Sequence, residues 1–121
     1  MKRKLIAMPY FARRLKRLAK KYTSLASELA DLEKNLEENP RSGTALGSGL
    51  YKIRLASKSK GKGKSGGFRV ITYYVEQIGD DEVVYLVTIY DKSEEVNIDK
   101  ADLLTIVQEA LGNESADTDG A

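Results

Sequence analysis

Cysteine, histidine and tryptophan are all absent from this chain of 121 residues. Without cysteine no disulfide can form and no thiolate can act, and the composition is compatible with a reducing compartment. Without histidine the chain lacks the side chain that ordinarily titrates near neutrality and most often ligates zinc. Any catalysis must therefore use Lys, Arg, Tyr or carboxylates. Proline occurs only twice, at Pro9 and Pro40. Long apolar runs are missing too: the longest, Val83 to Tyr90, falls far short of the roughly 18 residues of a membrane span. The opening Met1-Lys-Arg-Lys-Leu-Ile-Ala-Met8 has a basic head, but its apolar part is too short for a secretory signal and Arg13 and Arg14 soon follow. These absences predict a cytoplasmic protein with no membrane segment.

What is present is charge, sorted by position. The net charge is only +2, yet residues 1–22 hold nine cations and no acid, and residues 41–75 hold eight cations and no acid. Acids dominate elsewhere: five against Lys34 in residues 23–40, and thirteen against Lys92 and Lys100 in residues 76–121. The densest concentration is Leu50 to Val75. There Lys52, Arg54 and Arg69 flank the loop Lys58-Ser-Lys-Gly-Lys-Gly-Lys-Ser-Gly-Gly67, which brings seven cations and no carboxylate into one hairpin. A polyanion is the natural partner of such a surface, and phosphate is the commonest such group in a cell.

The apolar pattern supplies the framework. Lys2 to Met8 reads as a short edge strand. From Pro9, the positions Phe11, Leu15, Leu18 and Tyr22 recur at helical spacing opposite Arg13, Arg14, Lys16, Arg17, Lys20 and Lys21, an amphipathic basic helix. Thr23 or Ser24 can cap a second helix with a Leu25, Leu29, Leu32, Leu36 stripe, ending at Asn39-Pro40. Ser42 to Gly49 reads as a connector. Tyr51, Ile53 and Leu55 then alternate with Lys52 and Arg54 as in a half-exposed strand, and Phe68–Val75 and Val83–Tyr90 follow as strands joined through Gly79-Asp80-Asp81. The last two are apolar on both faces, which suits strands covered by helices. Asp99 with Asp102 can start a final helix carrying Leu103, Leu104, Val107 and Leu111 and stopping at Gly112. The expectation is one domain over residues 1–112 and a disordered acidic tail over 113–121.

Nucleotide-loop readings fail on context. Gly61-Lys-Gly-Lys-Ser-Gly66 matches G-x-G-x-x-G, but a strand follows where a dinucleotide site needs a helix N-terminus. A phosphate-binding GKS loop would need glycine at position 58, which is lysine. A kinase glycine loop lacks the rest of a kinase. The bland reading of the loop is a solvated hairpin tip. Against it stands the agreement of the loop with cations on both flanking strands and on the first helix. The strand tyrosines are ordinary core or cross-strand residues, and the helix-two carboxylates Glu28, Asp31, Glu33, Glu37 and Glu38 read as a solvated face with no metal site.

Four segments taken in order resemble the RelE/HigB-type toxins of bacterial toxin–antitoxin modules, more closely the HigB-like branch. They are Tyr51-Lys-Ile-Arg-Leu-Ala-Ser57, the loop end Lys64-Ser-Gly-Gly67, Arg69-Val-Ile-Thr-Tyr-Tyr74 and Tyr85-Leu-Val-Thr-Ile-Tyr-Asp-Lys92, preceded by a helical hairpin. The resemblance implies an α+β fold in which an N-terminal helical hairpin packs on a twisted antiparallel sheet of three to four strands, with a C-terminal helix. It also implies cleavage of messenger RNA in the ribosomal A site, without metal or small-molecule cofactor, until a cognate antitoxin masks the toxin.

Cutting RNA in this way requires removal of a 2′-OH proton, stabilisation of an anionic phosphorane and protonation of the leaving 5′ oxygen. Arginine suits the second task because its planar fork binds phosphate and stays charged. Arg54 and Arg69 are the candidates. Lysines among other cations, or tyrosine, can move the protons. Tyr90 and Lys92 complete the expected catalytic set, with Lys52 and Lys64 also in play. Lys52, Lys58, Lys60, Lys62 and Lys64 are expected to hold RNA. Two alternatives stand beside this reading: a ParE-like toxin that binds DNA gyrase without nuclease activity, and a non-catalytic RNA-binding protein.

Overall fold

The computed structural model describes residues 2–60, 67–79, 81–94 and 99–119. The chain runs β1 (Lys2–Ala7), α1 (Pro9–Lys21), α2 (Leu25–Glu38), β2 (Thr44–Gly47), β3 (Leu50–Leu55), β4 (Phe68–Ile78), β5 (Asp81–Asp91) and α3 (Lys100–Asp119), with short 3₁₀ turns at Lys58–Lys60 and Lys92–Glu94. The strands form one five-stranded sheet in the order β1-β5-β4-β3-β2. The fold is α+β, as expected, with two strand-level differences: the sheet is mixed, and it has five strands.

The first difference is the direction of β1, which pairs parallel to β5. Charge explains part of the match. Arg3 stands opposite Glu82 in the register and pairs with it at 2.9 Å, while Lys4 reaches Asp81 at 3.0 Å. Cations at the N-terminus are thus spent on the acidic start of β5. Arg3 also donates to the Glu37 carbonyl at 2.6 Å, supplying the cation that the acidic last turn of α2 lacks.

The second difference is β2, which arises inside the Gly/Ser stretch read as a connector. Gly47 and Leu50 close a two-residue hairpin turn in which Ser48 (φ 57°) and Gly49 (φ 87°) are both left-handed. A tight hairpin turn of that hand matches the twist of the flanking strands. The Ser-Gly pair was the available signal; low β-propensity on either side concealed the strand.

Both faces of the sheet are covered. On one, Phe11 and Leu18 of α1 and Leu25, Leu29, Leu32 and Leu36 of α2 pack on Ile53, Phe68, Val70, Val84, Leu86 and Ile89. On the other, Leu103 and Val107 of α3 join Leu50, Ile71, Val83, Tyr85, Val87 and Tyr90. This sandwiching is why β4 and β5 read as apolar on both sides. Beyond Leu86 the strand β5 has no β1 neighbour, and Arg14 of α1 donates to the Ile89 carbonyl at 2.8 Å. The start of α3 is as expected, the Asp102 N–H bonding Asp99 Oδ1 at 2.9 Å. Its end is not: the backbone stays helical past Gly112 to Asp119. Gly112 does not take the left-handed conformation of a helix cap, and glycine inside a helix costs only about 1 kcal/mol. Among the described residues no helix is long and apolar enough to cross a membrane.

Leu36 is fully buried between α2 and the sheet. Leu36→Ala is expected to lower the unfolding free energy by about 3 kcal/mol. In urea titration this is a lower midpoint at unchanged slope; a loss below about 1 kcal/mol would mean that the hairpin is not packed as described.

Candidate functional site

Three of the four residues expected to carry chemistry share one row of the sheet. Arg54 of β3 is the Cα partner of Arg69 of β4, and Arg69 is the partner of Tyr90 of β5. Directly opposed residues in antiparallel strands project from the same face, with neighbouring strands about 4.8 Å apart. The three side chains therefore rise side by side from the α3 face. Lys52 occupies the same face one step along, opposite Ile71.

A β-bulge sets this alignment. From Phe68↔Asp91 to Ile71↔Thr88 the register runs evenly, and it then shifts so that Thr72 faces Leu86, leaving one extra residue in β5. Continuing the Tyr73↔Tyr85 register without that shift would oppose Arg69 to Ile89 and Phe68 to Tyr90. Bulges commonly re-aim side chains next to sites. Here one brings tyrosine against arginine. The hydroxyls of Thr72 and Thr88, which flank the shift, are buried with no hydrogen-bond partner among the described residues, a cost of about 1–3 kcal/mol each.

Burial differs along the row. Arg54 is exposed, whereas Arg69 is only 4% exposed and Tyr90 7%. Arg69 donates Nη1 to its neighbour's carbonyl, Phe68 O, at 3.2 Å. Like charges directly opposed across strands repel, and of the two guanidinium groups only that of Arg54 is exposed.

The remaining candidates separate. Lys92 follows β5, half-buried, its N–H bonding the Gly67 carbonyl at 3.0 Å. Gly67 must be glycine here: a Cβ would lie 2.2 Å from the Leu55 carbonyl oxygen. Lys58 is exposed on the loop foot. Lys62 and Lys64 lie outside the described residues. Lys60 lacks the exposure expected of an RNA-binding lysine. Its ammonium pairs with the Asp91 carboxylate and sits over the rings of Tyr22 and Phe68, 5.3 and 5.4 Å from their centroids. Tyr22 and Phe68 meet edge to face at 5.2 Å.

The expectation of a solvated helix-two face also fails at one position. Glu28 accepts the Lys58 N–H at 2.8 Å, and Ser24, at the start of α2, exchanges hydrogen bonds with Ser59 through both side chains. The loop foot is thereby tied to the junction of α1 and α2. Sequence reading missed Asp91, whose neighbours Tyr90 and Lys92 drew attention instead; an acid between a tyrosine and a lysine at a strand end was the only signal.

Burial alone would push the Asp91 carboxyl up. The Lys60 ammonium and the N–H and hydroxyl of Ser93 outweigh it, so Asp91 titrates at about 2, below the ordinary 3.8. A carboxyl held down in the folded state stabilises it above the unfolded value, and that stabilisation disappears as pH falls through the folded value. Between pH 5 and pH 2 the chain is expected to lose about 2 kcal/mol more than Asp91→Asn does. Denaturant titrations of both proteins at each pH measure it, and parallel losses would contradict the role assigned to Asp91.

Residues 9–118 match the family described as the RelE toxin of the RelE / RelB toxin-antitoxin system. Among solved structures, a double mutant of the E. coli toxin RelE in the free state aligns over 93% of this chain and 98% of that one, with a TM-score of 0.50 and 22% sequence identity. At that identity the likeness concerns the fold.

Proposed function

Because the chain belongs to the RelE toxin family, we propose that it is a toxin of the HigB-like branch that cuts messenger RNA in the ribosomal A site and is masked by a cognate antitoxin in the cytoplasm. The observation that carries this reading is the row Arg54–Arg69–Tyr90. It gathers two permanent cations and one phenol on one face of the sheet, Arg54 exposed and Arg69 and Tyr90 buried beside it.

In this mechanism Arg54 and Arg69 bind the non-bridging phosphate oxygens and stabilise the extra negative charge of the phosphorane. The 2′ oxygen attacks phosphorus as its proton leaves, the bond to the 5′ oxygen breaks, and the leaving oxygen takes a proton. The products are a 2′,3′-cyclic phosphate and a 5′ hydroxyl. Tyr90, at the end of the row, and Lys92, two residues further along the chain beyond Asp91, share the two proton transfers. Lys52 and Lys58 attract the RNA backbone with little orientation requirement. Lys62 and Lys64 extend that attraction along the loop.

Arg54 is the sharper probe, because it is exposed and its loss leaves no cavity. Arg54→Ala is expected to slow cleavage of translated transcripts about 10²- to 10³-fold at an unchanged melting temperature. The measurement is primer-extension mapping of cuts in a purified translation system. Cleavage at the wild-type rate would remove this mechanism. Intact transcripts with inhibited DNA supercoiling would select the gyrase-binding alternative, and RNA retention with neither activity would select a non-catalytic RNA-binding protein.

A further inference from the structure

The basic loop begins and ends on consecutive residues of the same strand end. At its start, Lys60 is held by the side chain of Asp91; at its finish, the Gly67 carbonyl accepts the N–H of Lys92. The Lys60 side chain is 9% exposed and that of Asp91 1%, so this is an ion pair inside the protein, not a surface pair. Asp91 also accepts the N–H and hydroxyl of Ser93 at 2.9 Å, which shapes the turn that carries Lys92. Tyr22, at the end of α1, adds its hydroxyl to Asp91 at 3.2 Å and its ring to Lys60.

Buried ion pairs are poor stabilisers compared with apolar side chains of the same size. A lysine two residues beyond the exposed Lys58 and buried against one aspartate therefore calls for a reason other than stability. The geometry supplies one. Asp91 points to the helix-hairpin face, where Phe68 and Tyr22 lie, while its predecessor Tyr90 belongs to the opposite, α3 face. A clamp on Asp91 fixes Tyr90 and Lys92 from behind, without occupying the face on which the phosphate would sit.

We infer that the Lys60–Asp91 pair is a positioning clamp: it locks both ends of the basic loop to the end of β5 and so holds Tyr90 and Lys92 in place for proton transfer. This deepens the cleavage reading and rests on it for its functional consequence. Neither residue touches substrate. Their effect is on turnover, not on RNA capture.

The test uses Lys60→Met combined with Asp91→Asn in the full chain. Asparagine keeps an acceptor for Ser93, and methionine keeps the apolar stem against Tyr22 and Phe68, so neither charge is left buried and alone. The variant is expected to stay folded with a melting temperature close to wild type. Maximal single-turnover cleavage on programmed ribosomes should fall about 10- to 100-fold, the effect of a small misplacement of reacting groups. The half-saturating ribosome concentration should stay within about twofold, since the phosphate-facing cations are retained. Amide hydrogen exchange at Lys92 should accelerate as its bond to Gly67 loosens. Wild-type turnover in the folded variant would overturn the inference, as would a rate loss matched by the unfolded fraction. If the wild-type chain cuts no transcript, the proposed function fails, and Lys92 exchange decides the clamp by itself: faster exchange in the variant supports it, unchanged exchange overturns it.

Discussion

The register between β4 and β5 is the constraint on which the site depends. Side chains alternate faces along a strand, so a slip of one residue sends every one of them to the other side. The bulge after Ile71 makes that one-residue shift at an interior position and brings Tyr90 opposite Arg69 while Tyr73 stays opposite Tyr85. Arg54 then falls into line through the uninterrupted β3–β4 ladder. Two buried threonine hydroxyls beside the bulge, without partners among the described residues, mark the energetic cost of placing it there.

Around that line some cations are engaged by groups of the chain itself and others stay exposed. Arg3 and Lys4 pair with the acidic start of β5, Arg14 satisfies the open edge of β5, and Lys60 is buried on Asp91. These cations build the fold. Arg54, Lys58 and the outer lysines and arginines of α1 stay exposed. Of the basic clusters visible in the chain, only part stays exposed, and the engaged part secures the framework that presents the rest. The two faces have different work as a result: the hairpin face packs and clamps, and the α3 face carries the arginine row.

Much of this architecture was legible in the linear pattern. The leucine stripe of α2, the amphipathic α1 and the Asp99 start of α3 are local features, governed by residues three and four apart. The alternation of Lys52 and Arg54 with Ile53 and Leu55 placed both cations on one face before any neighbour was known. The parallel pairing of β1, the strand hidden in Thr44–Gly47 and the continuation of α3 past Gly112 were not legible. Each depends on neighbours distant in the chain or on a turn geometry that weak propensities do not announce. The pairing of Lys60 was hidden for the same reason: among the four loop lysines at two-residue spacing, nothing local distinguishes the one that meets a carboxylate thirty-one positions away.

The side-chain types available were fixed by residue order alone: a chain without histidine or cysteine, rich in Arg, Lys and Tyr on β-strands, with its positive charge gathered in the hairpin. Which of those side chains stand together was settled by folding. Identity is a property of each residue separately, whereas adjacency arises from ladder register, a bulge and a buried ion pair, all of which join positions that the chain itself keeps far apart.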